Sequence, residues 1–285
     1  MHTTPVIMGT YNEREDIPPL VEEILSLGLG LDILIVNDNS PDGTGRIADD
    51  LASRHPEVSV LHRPGKLGLG TAYVAGFQHA LARGYARVIT MDADYSHHTR
   101  DLPEFLGKFE THDVVVGTRY ITGGGVENWP PYLLALSRGG SLYTRLITGM
   151  PLHDATCGFN GFCVEVIRAI RPERIRSEGY SFEIETKFRS WEKGVRIAEI
   201  PIVFADRTRG KSKMSKRVFL EAVLWYGSSG SLPSDPFGHP ALCPAARPRR
   251  SRSSVGPLTG ARSRPRAWRS PPLNAFSRDT PRPRR

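Results

Sequence analysis

Through residue 91, short apolar runs alternate with amphipathic stretches at close spacing, and that alternation restricts the chain to few folds. Val6 to Met8, Ile33 to Val36, Val58 to His62 and Ala86 to Met91 read as strands. Between them, Pro18 to Leu27, Ile47 to Arg54 and about Ala72 to Arg83 read as helices, with Gly28 and Gly84 as stop signals. Ile33 to Val36 is apolar without a break, as in a strand buried on both faces of a parallel sheet. The chain is therefore expected to be α/β, with βαβ units forming a mostly parallel, doubly wound sheet flanked by helices. Ligands of such sheets bind beyond the carboxyl ends of the strands.

Polar loops occupy those ends. The first strand runs into Gly9-Thr10-Tyr11-Asn12-Glu13, the second into Asp38-Asn39-Ser40-Pro41-Asp42-Gly43-Thr44, and the fourth into Asp92-Ala93-Asp94-Tyr95-Ser96. Residues i and i+2 of an extended chain point to one side, so Asp92 and Asp94 can aim their oxygens at one point. Hard cations such as Mg²⁺ or Mn²⁺ take oxygen ligands and commonly only one or two protein carboxylates. Oxygen donors suit such an ion better than the neighbouring His97 and His98. Alone, an Asp-x-Asp is better explained by two solvated turn residues; its position at the end of the fourth strand, beside the Tyr11 and Asp38 loops, favours a ligand site. Tyr11 is placed to contact a base or ribose.

Beyond Asp94 the pattern becomes α+β. Asp113 to Val116 reads as a strand leading to Arg119, Gly123 to Gly125 as a flexible loop, and Leu133 to Thr148 as a helix. Asp154 to Asn160 is a loop entering a short strand, Ser181 to Lys193 a helix, and Val195 to Phe204 one strand. Asp154 is expected to order its loop through hydrogen bonds and Cys157 to be a small buried filler. Glu183 and Glu185 face different sides of their helix, so at most one points into a cleft. Gly68 and Gly70 read as turn and helix-start residues rather than a phosphate cradle. Arg207 to Lys213 is a basic, glycine-containing loop suited to folding over phosphate, and Val218 to Tyr226 begins an apolar helix.

Charge divides the chain in two. The net charge over 285 residues is +8, but from Gly227 onward 12 Arg and two Asp give +10, leaving −2 for residues 1–226. The boundary is thus set at 226: residues 1–226 as the catalytic domain and 227–285 as an Arg/Pro-rich disordered tail. The tail has the composition of a shifted reading frame in a GC-rich gene, preferred here over a basic arm for nucleic acid or anionic lipid. Cys157, Cys163 and Cys243 lack metal-site or disulfide spacing. No secretory signal or apolar run of spanning length is visible, which suits a cytoplasmic protein.

Six of these segments, in order and at matching spacing over nearly all of residues 5–226, resemble the dolichol-phosphate (polyprenol-phosphate) mannose synthases. They are Thr10 to Glu13, Asp38 to Thr44, Lys66 to Thr71, Met91 to Asp94, Gly117 to Tyr120, and Arg207 to Lys213. That family comprises inverting glycosyltransferases of the GT-A fold, and the likeness is to its short bacterial form without transmembrane helices. The resemblance implies mannose transfer from GDP-mannose to a polyprenyl phosphate with Mg²⁺ or Mn²⁺. Gly9, Tyr11, Glu13, Val36 and Asp38 would then hold the nucleoside; Asp92, Ala93, Asp94 and Ser96 the metal and diphosphate; Arg207 and Lys213 the donor diphosphate. Arg119, which would also reach the donor, and Ser137-Arg138 would contact the acceptor phosphate. It also implies peripheral attachment at the cytoplasmic face of the membrane, with an anchoring protein as a further partner and no nucleic acid. Two departures stand out: Gly9 replaces the family's usual Pro, which would loosen that backbone, and the final amphipathic helix stops at Tyr226.

The chemistry of such a transfer fits the residues. A leaving diphosphate must be neutralised, which a metal clamp and cations can do. A phosphate acceptor is already anionic near neutrality, with a second pKa of about 6, so no general base is required. Arg119 and Arg138 would grip that phosphate with forked guanidiniums. The competing readings are a transferase using UDP-glucose or another UDP-sugar on the same lipid, and a non-catalytic nucleotide-binding protein with a basic tail.

Overall fold

In the computed structural model, residues 4–175 and 177–206 are described. Their main sheet holds seven strands in the order β3-β2-β1-β4-β7-β5-β8. These are β1 Thr4–Thr10, β2 Leu31–Asn37, β3 Val58–His62, β4 Arg87–Thr90, β5 Val114–Thr118, β7 Asn160–Cys163 and β8 Ile197–Pro201. The helices are α1 Ile17–Ser26, α2 Thr44–Arg54, α3 Leu69–Arg83, α4 Leu102–Lys108, α5 Pro131–Thr148, α6 Val164–Ile170 and α7 Tyr180–Glu192. β1, β2, β3 and β4 run parallel, and β5 pairs parallel with β8. β7 alone is reversed, lying antiparallel between β4 and β5. The expected parallel, doubly wound architecture is present, with one reversed strand that its short sequence did not announce.

Burial explains the apolar runs. Val6, Ile7, Met8, Ile35 and Val36 lose all or nearly all their exposure beneath α1 and α3, while Ile17, Leu20, Val21 and Ile24 are the buried face of α1. Gly161 lets β7 pass close to α4, because a Cβ there would stand 2.6 Å from the Phe109 ring.

Two sequence expectations are corrected. Val195 to Phe204 is not one strand: β8 ends at Pro201, whose nitrogen has no proton, and β9 Val203–Ala205 follows in a separate two-stranded sheet. Its partner there is β6 Gly125–Glu127, so the expected flexible glycine loop ends in a paired strand. Ala205 N–H donates to Ser96 O, which ties this small sheet to the loop after β4.

Strand direction determines where a ligand can sit. The chain winds outward through β2 and β3, then returns to place β4 on the other side of β1. That reversal opens a crevice beyond the carboxyl ends of β1 and β4. Tyr11, Asp38 and Arg119 directly follow β1, β2 and β5, and Asp92 lies two residues past β4. All four open on the same edge of the sheet.

Candidate active site

Side chains of the second loop pin the backbone of the first. The amides of Asn12, Glu13 and Arg14 donate to Ser40 Oγ, Thr44 Oγ1 and Asp42 Oδ2. Asn12 and Asn39 adopt left-handed conformations, which asparagine tolerates better than most residues. Tyr11 lies beneath the Lys66 ammonium, 4.4 Å from Nζ to the ring centroid. The Asp38 carboxylate accepts from Arg63 through Oδ1 and from the Leu67 amide through Oδ2. Arg63 continues to Thr71 Oγ1 and Gly68 O, bracing the start of α3 against the end of β2.

Gly9 is not loosened. It pairs in register with Val36 inside β1, where a Cβ would stand 2.8 Å from Leu69 Cδ1 and 3.3 Å from Ala72 Cβ. Gly9→Ala is therefore expected to lower stability by about 1 kcal/mol, read from the urea midpoint, through overpacking against α3. Val36 itself is fully buried, backbone included, so it packs beneath the loop and offers a nucleoside no exposed surface. Gly68 caps α3 at a φ of 96° and Gly70 packs on Phe182, the structural roles expected of them.

Beyond β4, Asp94 Oδ1 accepts from both the amide and the hydroxyl of Ser96, a tight turn that holds the carboxylate in place. Ser96 is buried, as is Ala93. Asp92 is held by the Tyr73 hydroxyl, which donates to its Oδ1 at 3.1 Å, while 27% of its side-chain surface stays exposed. Burial, followed by the Asp92 charge, keeps the Tyr73 phenol protonated by raising it well above its ordinary range. His97 does not turn toward a metal. Its ring is buried and stacked on Phe159, with Nδ1 accepting from the Asp92 amide at 3.3 Å. Burial pulls it down to about 4, so it is neutral at neutral pH. Asp92, whose side chain is partly exposed, and the buried Asp94 supply oxygen donors of the kind a hard divalent cation takes, and His97 adds no nitrogen to the set.

Arg119 is differently placed from the sequence expectation. Its forked edge is spent on Asp154: Nε lies 2.6 Å from Oδ2, Nη2 2.8 Å from Oδ1, and Nη2 also reaches Thr156 Oγ1. The residue is 3% exposed. Burial alone would raise Asp154, yet the guanidinium's charge and bonds leave it below the ordinary carboxylate value. Asp154 thus orders its loop, as expected. Tyr120 joins the two arginines, with the Arg119 and Arg138 guanidiniums 5.1 and 5.4 Å from its ring, and its hydroxyl donates to Ser137 Oγ on α5. Arg138 is exposed. Tyr180, at the start of α7, senses both clusters: burial raises its phenol, Arg119 lowers it and Asp92 raises it.

Neither glutamate of α7 enters the cleft. Glu183 turns to Asn160 and Lys187, Glu185 to Ser177 and Arg189. Cys157 is buried, and burial pushes its thiol up to about 12. Neither Cys157 nor Cys163 is expected to react with iodoacetamide at pH 8 in the folded protein; mass spectrometry of the native and urea-treated chain checks this. Arg207 and Lys213 lie outside the described residues, as do the Val218 to Tyr226 segment and the tail.

Paired aspartates thus lie beyond the fourth strand of a doubly wound sheet, and Arg119 directly follows its fifth. The profile of Glycosyl transferase family 2 matches residues 6–171. An undecaprenyl-phosphate mannosyltransferase of Micrococcus luteus is 44% identical over 218 residues, covering 76% of this chain and 90% of the relative. A polyprenol monophosphomannose synthase of Mycolicibacterium smegmatis is 42% identical over 222 residues, covering 77% and 84%. Among solved structures, the glucosyl-3-phosphoglycerate synthase of Mycobacterium tuberculosis, crystallised with Mn²⁺, UDP and glucosyl-3-phosphoglycerate, superposes with a TM-score of 0.58 at 18% identity over 80% of each chain. The mannosyl-3-phosphoglycerate synthase of Rubrobacter xylanophilus gives 0.56 at 18% identity, covering 79% of this chain and 72% of that one. The chain belongs to glycosyl transferase family 2 and is a glycosyltransferase.

Proposed function

We propose that the protein transfers mannose from GDP-mannose to a polyprenyl phosphate, with inversion at the anomeric carbon. The observation that carries this reading is the meeting, on one sheet edge, of the Asp92 and Asp94 carboxylates with the Arg119 and Arg138 pair around Tyr120. The first pair suits a metal-bound diphosphate, the second a phosphate acceptor. The relatives' names supply the sugar and the lipid class.

In this reading Tyr11, Glu13 and Asp38, with the backbone of Gly9, hold the guanine nucleoside, and buried Val36 supports them from below. Asp92 and Asp94 hold Mg²⁺ or Mn²⁺, Ser96 fixes Asp94, and Ala93 keeps the turn tight. The cation, once bound, neutralises charge on the departing diphosphate. Arg207 and Lys213 add positive charge to that diphosphate; Ala205, two residues before Arg207, is bonded to Ser96. The acceptor phosphate approaches from the opposite side, drawn by exposed Arg138, while Arg119 contributes its field from within the Asp154 pair. Its anionic oxygen attacks without a general base, so positioning carries most of the rate.

The acceptor's lipid requires an apolar approach, and α5 offers one. That helix buries Ser137, Ser141 and Thr144 and turns Tyr132, Leu136, Leu142, Leu146 and Ile147 outward, with Leu146 74% exposed. An apolar face beside Arg138 and Arg145 suits the surface of an anionic bilayer. No helix among the described residues is long and apolar enough to cross a membrane. We assign the protein to the cytoplasmic face as a peripheral enzyme, with residues 1–226 as its catalytic domain and an anchoring protein as a further partner.

Calorimetric titration of GDP-mannose and UDP-glucose, each with Mn²⁺ or Mg²⁺, tests the donor assignment. Tighter metal-dependent binding of GDP-mannose is expected; a preference for UDP-glucose would overturn it.

A further inference from the structure

A cation that the transfer reaction does not use lies fully buried under the loop linking the two charged clusters. Lys187, on α7, is 0% exposed. Its ammonium has three protons and three partners: Cys157 O at 2.7 Å, Ala155 O at 3.1 Å and Glu183 Oε2 at 3.3 Å. Asn160 braces the same group, donating through Nδ2 to Cys157 O and Glu183 Oε2. Burying an ammonium and a carboxylate in a core is costly even when they are paired, and apolar residues of similar volume commonly fold as well or better. The pair therefore calls for an explanation beyond stability.

The loop it holds supplies one. At one end Asp154 fixes Arg119 through both carboxylate oxygens, and Thr156 takes a further guanidinium bond. At the other end Gly158 packs against Asp92, where a Cβ would stand 3.4 Å from either carboxylate oxygen. Gly158 O accepts from Thr90 Oγ1 at the end of β4. Lys187 grips the carbonyls of residues 155 and 157, which lie between these ends.

We propose that Lys187, balanced by Glu183, is a positioning residue: it fixes the Asp154–Gly158 loop and so sets the acceptor-side Arg119 and the donor-side Asp92 at a working separation. The inference rests on the transfer reaction proposed above. Nucleoside contacts from β1 and β2 lie outside its reach.

Lys187→Met alone would strand Glu183 in the core and is expected to fold poorly. The informative variant is Lys187→Met/Glu183→Gln, which removes both charges of this pair together. Its thermal midpoint is expected within a few degrees of the parent, with nucleoside-diphosphate binding in the absence of metal changed by less than about twofold. The KM for polyprenyl phosphate is expected to rise, and kcat to fall, by about tenfold or more. Should methionine pack badly, Lys187→Thr/Glu183→Gln, whose hydroxyl can bond back along the helix, is expected to give the same split. Parental acceptor KM and kcat in either folded variant would overturn the proposal. So would equal losses in nucleotide binding, acceptor KM and thermal midpoint, the pattern of general loosening. If the parent itself transfers no mannose, the functional reading fails first; if the parent transfers and the variants match it, only this inference fails.

Discussion

Asp94→Ala is expected to abolish metal-dependent binding of GDP-mannose and to slow transfer by on the order of 10³-fold, the scale lost when a main electrostatic support of a transition state is removed. Asp94 Oδ1 accepts from the amide and hydroxyl of Ser96, two contacts local to one turn. Folding should therefore be little changed, and the urea midpoint should stay near the parent's. Titration calorimetry with and without Mn²⁺ reads the effect directly. Unchanged metal-dependent affinity would remove Asp94 from the metal site, whatever happened to turnover. Asp92 is a less clean test, because Tyr73 and Gly158 both pack on its carboxylate.

Asp154→Ala is expected to act through stability. It leaves the Arg119 guanidinium buried with its strongest partner gone, and breaking a buried pair from one side costs about 3–5 kcal/mol. The pair also implies an acid limit. The Asp154 carboxyl sits below its ordinary value of 3.8 in the fold, so its stabilisation is complete above that value and is lost as pH falls through the native one. Urea unfolding of parent and variant at neutral pH checks the first effect. A loss under about 1 kcal/mol would mean that Arg119 finds another anion or solvent, which the bidentate geometry argues against.

The mostly parallel, doubly wound sheet and its ligand edge were legible because they rest on local patterns. Ile33 to Val36 has to be buried on both faces, and Asp38 and Asp92 come directly after apolar runs. The placement of Tyr11 and the inward, filler role of Cys157 followed from the same logic. What the sequence did not reveal depends on partners far along the chain. Arg119 looks like an open phosphate grip until Asp154, 35 residues away, is seen to occupy its fork. His97 looks available to a metal until Phe159 is found against its ring. Glu183 looks like a cleft residue until Lys187 and Asn160 draw it inward. Tyr73, Tyr180 and Arg63 carry no motif of their own, since each acts by reaching a residue that no periodicity connects to it. The outward leucine face of α5 was hidden for another reason. Its helical spacing is ordinary, and the spacing alone does not say which side meets the protein.

Mannose transfer to a lipid phosphate can be read in a single assay. The full chain is incubated with labelled GDP-mannose or labelled UDP-glucose, polyprenyl phosphate and Mn²⁺ or Mg²⁺, and label extracted into organic solvent is counted. Organic-phase label from GDP-mannose is expected, and it should disappear without metal, without the lipid phosphate, and in Asp94→Ala. Label from UDP-glucose and none from GDP-mannose, or no label from either, would contradict the proposed transfer.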